Sequence, residues 1–317
     1  MTLDPALMSL LGGILTLLMG VAAAGWIGRR RAATEVSREF WQDLQARILT
    51  WWVLLTVLAL ALLVRPGGAI LLFGLLSFLA LREFITLTPT RRADHRTLFW
   101  VFFVLTPLQY VLVWARFYAG FVLLIPVCAF LFVPLRSALA GDGTRFLERT
   151  AKIQWALMVC VFCVSHAPAL LMLEIPGYAG RNATLLLYFI LIVKWSDIFQ
   201  FIWSRAVTPP AAGVAKGWRS ARIGVMGGVL TASGLGTVLW WATPFTPGQA
   251  ALISLGVTLM GVAGVRVMAA IRSDLGIRTY GSLVEGQGGV LDRIDSICFA
   301  APVFFYVVRF CFTEAGR

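Results

Sequence analysis

Charge is what this sequence has least of. Only 13% of its 317 residues are Asp, Glu, Lys or Arg, against about 25% in a soluble domain. That shortage excludes an ordinary water-soluble fold. The five cysteines, Cys128, Cys160, Cys163, Cys298 and Cys311, are scattered through apolar runs. Without paired spacing or a histidine partner they form neither a disulfide framework nor a zinc site, and they read as small packing residues. There is no low-complexity stretch and no repeat of fixed period. The first apolar segment has no basic residues before it and three arginines, Arg29-Arg30-Arg31, after it, so it reads as a retained span rather than a removed leader. No nucleic-acid-binding module is present, so the net charge of +12 needs another explanation.

Apolar residues supply that explanation. They make up 59% of the chain, and the mean hydropathy is +0.84. Runs approaching the roughly 20 residues that cross a bilayer predict an all-α, polytopic membrane protein of about ten spans. They fall near 6–27, 48–64, 69–87, 98–114, 117–134, 153–173, 183–203, 223–241, 250–271 and 297–312. The 48–87 stretch also admits a re-entrant pair around Arg65-Pro66-Gly67-Gly68. On this count basic residues crowd the loops on one side, and by the positive-inside rule that side is cytoplasmic. The expectation is a multi-pass protein of a bacterial inner membrane with both termini outside. The surplus charge is mainly topological, with anionic headgroups as its second use. Val36, Phe40, Trp41, Leu44 and Ile48 recur at helical spacing among charged residues, predicting an amphipathic helix in the interface. Three regions follow: 1–47 with the first span and interfacial helix, 48–180 as a membrane bundle, and 181–317 holding the chemistry.

Four segments on the basic side carry candidates. Arg82-Glu83 reads as an interfacial pair, and Arg91-Arg92 with Arg96 as an anchor. Arg145, Glu148, Arg149 and Lys152 have the spacing of a solvated helical face. His166, beside Pro168, reads as a helix-packing histidine. Lys194 and Asp197 lie near the inner end of a span, where ionisable residues are costly and mark function by default. Lys216, Arg219 and Arg222 recur every third residue, which suits a phosphate clamp and a topogenic anchor equally. The last segment is Gly281 to Ser296, a glycine-rich polar loop closed by Asp292-Arg293-Ile294-Asp295. Its glycines, Gly288 and Gly289 among them, allow backbone N–H groups to approach a phosphate. Arg278 and Arg293 can hold phosphates, and Asp292 and Asp295 a divalent cation, which is the equipment of phosphoryl or nucleotidyl transfer. The same residues also admit a structural turn in which Arg293 pairs with both aspartates.

The run Arg272-Ser273-Asp274-x-Gly276-x-Arg278, continued by Gly286-Gln287-Gly288-Gly289-Val290-Leu291-Asp292-Arg293-Ile294-Asp295-Ser296, resembles the carboxy-terminal signature of the phosphatidate cytidylyltransferase (CDP-diglyceride synthase) family. The likeness extends from about Leu81 to Phe312 and includes Asp197 and Gly227-Gly228. It implies a cytoplasm-facing site, with CTP and phosphatidate as substrates and CDP-diacylglycerol and pyrophosphate as products. It also implies Mg²⁺ held by Asp292 and a catalytic set of Asp197, Asp292, Arg293 and Asp295, while the oligomeric state, a homodimer included, stays open. Substrate phosphates would fall to Lys216, Arg219, Arg222, Arg278, Gly288 and Gly289.

The chain departs from that pattern. The family's Ser-Pro-x-Lys-Thr-x-Glu-Gly run falls on Gly217 to Gly224, where only the last glycine is kept. Its Gly-Asp metal motif falls on Gly264-Val265, and valine cannot ligate a hard cation. The signature's Lys-Arg becomes Arg272-Ser273, its Lys-Asp becomes Arg278-Thr279, and its His becomes Gln287. Two expectations result: a divergent cytidylyltransferase, or an inactive paralogue that keeps a membrane scaffold for phospholipid binding or regulation.

Overall fold

The computed structural model describes residues 5–31, 41, 45, 52–62, 66–88, 90–207, 218–281 and 288–313. Among these residues the fold is all helical, with no strand. Ten helices follow one another: α1 Pro5–Arg31, α2 Trp52–Leu62, α3 Pro66–Thr86, α4 Arg92–Trp114, α5 Tyr118–Ala138, α6 Phe146–Met172, α7 Asn182–Val207, α8 Trp218–Val238, α9 Pro247–Asp274 and α10 Leu291–Phe312. Eight of them, α3 to α10, are long and apolar enough to cross a membrane. At 1.5 Å per residue the 27-residue α1 is about 40 Å long. The second helix, α2, is described only over Trp52–Leu62, where it is apolar. The interfacial helix expected over 36–48 lies outside the described residues except for Trp41 and Gln45.

Outward faces carry largely exposed apolar side chains, such as Leu71, Phe103, Leu131 and Leu252, each more than 60% exposed. A soluble protein would bury such residues, but in lipid they are at home. Several polar groups inside the bundle pair across helices, although Gln109 Oε1, Thr150 Oγ1 and His166 Nε2 are buried without a hydrogen-bond partner. The Gln109 amide donates to the Phe121 carbonyl at 3.1 Å and to Ser165 Oγ at 3.2 Å, tying α4, α5 and α6 together. His166 follows its expected packing role, with Nδ1 on the Phe162 carbonyl at 2.8 Å and its ring among Phe121, Phe162, Phe305 and Tyr306. Cys160 and Cys298 are fully buried packing residues.

Glycines set the spacing of the last four helices. A Cβ on Gly224 would lie 2.8 Å from Ser204 Cβ, one on Gly227 2.5 Å from the Trp203 ring, and one on Gly228 2.7 Å from the Gln200 backbone. These three glycines press α8 against α7, as small residues do between membrane helices. The opposite end of α9 has a capping box, in which Thr246 Oγ1 accepts from the Gln249 amide while Gln249 Oε1 accepts from the Thr246 amide.

Two readings change here. The last helix begins at Leu291 rather than 297, so Asp292, Arg293 and Asp295 belong to its first turns and not to a loop. The helix at 146–156 is also more than a solvated face, because Arg149 is buried. Arg149 Nε reaches the Asp94 carboxylate at 3.1 Å, and Nη1 reaches Asp142 at 3.1 Å and the Thr144 carbonyl at 2.5 Å. The partner Asp94, at the head of α4, is 1% exposed.

Candidate active site at the charged end of the bundle

The charged end gathers the carboxy-terminal ends of α3, α7 and α9 with the start of α10. A helix start leaves backbone N–H groups without intrahelical partners and carries partial positive charge. Here Glu83 of α3 supplies the missing acceptor: Oε1 accepts from the Val290 amide at 2.9 Å and Oε2 from the Leu291 amide at 2.8 Å. Gly281 and Gly289 make room for it. A Cβ on Gly281 would sit 2.7 Å from Glu83 Oε1, and one on Gly289 would collide with the same carboxylate. The glycines therefore admit a protein carboxylate, a use the sequence reading had reserved for a phosphate.

Asp292 is held from three sides. Arg272 Nη1 of α9 donates to Oδ1, while the Tyr280 and Gly289 amides donate to Oδ2 at 3.0 and 3.1 Å. Gly288 has φ +78° and would place a Cβ 2.7 Å from that same oxygen, so only glycine fits the turn without strain. Tyr280 closes the loop by donating from its hydroxyl to the Met268 carbonyl at 2.7 Å, and burial pushes its phenol above the ordinary value.

A second cluster joins α7 to α10. The Lys194 ammonium donates to the Arg293 carbonyl at 2.5 Å, to Ser296 Oγ at 2.8 Å and to Asp197 Oδ2 at 3.3 Å. Ser296 Oγ also donates to Asp197 Oδ2 at 2.9 Å, and Gln200 reaches Ser196 at 3.1 Å. Asp295 is buried beside this cluster and accepts from the Ser296 amide at 2.7 Å. A Cβ on Gly264 of α9 would lie 2.5 Å from the Asp295 carbonyl oxygen, and the half-buried Val265 follows it.

Asp197, Asp292, Arg293 and Asp295 are thus brought to one end of α7 and α10. Arg278 is exposed on the approach to the loop, and Arg222 is exposed near the start of α8. Arg219 falls in the first turn of α8, and Lys216 lies outside the described residues. Glu83 and Arg272 are the residues whose roles the sequence did not announce.

A divalent cation does not fit the described residues. No three His, Cys, Asp or Glu among them stand together as a ligand group. Both Asp292 oxygens already have protein donors, and Asp197 faces an ammonium. Asp292 is paired with the Arg272 guanidinium and Asp197 with the Lys194 ammonium.

One consequence concerns Glu83. Hydrogen bonds to a charged acceptor contribute about 1.5–3 kcal/mol each, so Glu83→Ala is expected to destabilise the protein by about 3 kcal/mol. Hydrogen exchange at the Val290 and Leu291 amides should rise with it. Unchanged protection there would show that α10 starts without this cap.

The class of protein is now defined: a polytopic helical membrane protein with a paired acid–base cluster at one end of its bundle. Residues 45–311 match the family model described as "Cytidylyltransferase family". The chain belongs to that family. It is 35% identical over 275 residues to the uncharacterized protein YnbB of Escherichia coli (strain K12), covering 85% of this chain and 88% of that one. It is 28% identical over 158 residues to the phosphatidate cytidylyltransferase of Rickettsia typhi, covering 45% and 66% of the two chains. With the enzyme of that name from Haemophilus influenzae it shares 29% over 136 residues, or 40% and 46%. The matched part is therefore less than two thirds of either of these cytidylyltransferases.

Proposed function

We propose that this protein transfers a cytidylyl group from CTP to phosphatidate at the cytoplasmic face of a bacterial inner membrane, in phospholipid biosynthesis. The observation that supports the reading is the meeting of Asp197, Asp292, Arg293 and Asp295 at one end of the bundle, on elements that the family likeness spans. A lipid phosphate oxygen attacks the α-phosphorus of CTP, a new P–O bond forms, and the α–β bridging bond breaks to release pyrophosphate. Such transfer needs mainly positioning and charge stabilisation. Arg222 and Arg278, both exposed at this end, face incoming phosphates, and Arg272 with Asp292 fixes the turn that leads into α10. Mg²⁺ has no donor set among the described residues, so no step is assigned to it.

A second reading, phospholipid binding without turnover, is favoured by that same lack of a ligand group and by the rewritten Gly217–Gly224 segment. Purified protein supplied with phosphatidate and CTP, with and without Mg²⁺, decides between them. CDP-lipid and pyrophosphate formed one to one are expected. Intact phosphatidate binding with neither product would overturn the transferase and leave the binding protein.

A further inference from the structure

The Lys194 ammonium occupies a cage of oxygen atoms. Its three hydrogen-bond acceptors are a carboxylate, a hydroxyl and a main-chain carbonyl: Asp197 Oδ2, Ser296 Oγ and Arg293 O. An ammonium has three N–H donors, so the count is complete. Those acceptors are also the hard oxygen types that Mg²⁺ and Ca²⁺ select. The distances, 2.5 to 3.3 Å, suit N–H donors and exceed the roughly 2.0–2.1 Å of a Mg²⁺–oxygen bond. Lys194 is only 7% exposed, and Asp295, equally buried, adds a second carboxylate beside the cage. A lone buried ammonium is costly, and here the surrounding oxygens offset that cost.

We propose that Lys194 is a resident cation, holding the place between α7 and α10 that a metal ion would otherwise take. The covalently tethered charge neutralises Asp197 and pins the Arg293 carbonyl, so this pocket has no room for a divalent ion. Lys194 is a positioning residue: it sets the first turn of α10 and touches no substrate atom. The proposal rests on reading this end as the family's phosphate-handling site, but its test reads metal binding, so the two can fail separately.

The probe is Mn²⁺, followed by its paramagnetic resonance signal in detergent-solubilised full chain, alongside thermal unfolding in Mn²⁺ or EDTA. Wild type and Asp197→Asn are expected to give the same Mn²⁺ signal, and wild type the same unfolding midpoint in both media. Lys194→Ala is expected to gain saturable Mn²⁺ binding, at least tenfold tighter than wild type, and a midpoint that rises with Mn²⁺. Lys194→Gln, which fills the space and adds a carbonyl oxygen, provides the same readout where the alanine variant fails to fold. Saturable Mn²⁺ binding by wild type that Asp197→Asn removes overturns the proposal. So does a folded Lys194→Ala or Lys194→Gln variant that gains no Mn²⁺ binding.

Discussion

Under the proposed transferase function, Asp292→Ala is expected to lower CDP-lipid formation by about two to three orders of magnitude, the usual cost of losing one preorganised electrostatic element of an active site. The change strips Arg272 of its partner and leaves the Tyr280 and Gly289 amides without an acceptor. Each effect loosens the turn that launches α10, which carries Arg293 and Asp295. Arg272 is 21% exposed at its side chain, so water recovers part of its solvation. The amides are less fortunate, and an unsatisfied buried donor costs about 1–3 kcal/mol. Asp292→Asn separates architecture from charge. Its amide oxygen can still accept from the backbone, but its –NH₂ faces the Arg272 guanidinium. Folding close to wild type with activity as low as the alanine variant would locate the effect in the negative charge. Both variants retaining wild-type turnover would remove Asp292 from the reaction.

Asp292 also shows how far the sequence could be read. Apolar runs placed ten spans, and among the described residues helices lie at each of them, eight long and apolar enough to cross a membrane, because hydropathy reports lipid contact directly. The start of α10 escaped for the same reason. Residues 291 to 296 include two aspartates and an arginine, which a hydropathy reading assigns to water. They are helical because Glu83, about two hundred residues earlier, caps them and because Arg272 and Lys194 neutralise their surroundings. No local spacing encodes a partner at that distance. The family signature singled out Asp292, but it did not show that Gly281, Gly288 and Gly289 are spaced around protein carboxylates. Lys194 was legible as an anomaly, a charge deep in an apolar run, while its cage came from two different helices.

Arg149→Ala is expected to be the most destabilising single change away from the site, by about 3–5 kcal/mol, the range for removing one partner of a buried ion pair. The spacing of Arg145, Glu148, Arg149 and Lys152 suggested four equivalent surface charges, but burial separates them. The Arg145 side chain is 73% exposed and 3.9 Å from Glu148, so Arg145→Ala should change stability by less than about 1 kcal/mol. Arg149 instead holds the buried Asp94, the Asp142 carboxylate, and the carbonyls of Asp142 and Thr144 in one guanidinium fork. Arg149→Lys keeps the charge but not the fork, so it should recover only part of the loss. The Asp142 carboxyl is held below its ordinary value by the Thr144 amide and side chain, with Arg149 and Arg91 adding to them. A lowered folded pKa stabilises above the unfolded value and is lost as pH falls through the folded one. Wild type should therefore lose this contribution below about pH 4, and Arg149→Ala should show a shallower acid dependence. Unfolding midpoints of the three variants, measured in one detergent at neutral and acidic pH, provide the check. A midpoint for Arg149→Ala no lower than that for Arg145→Ala would show that the fork does not hold α4 to α6.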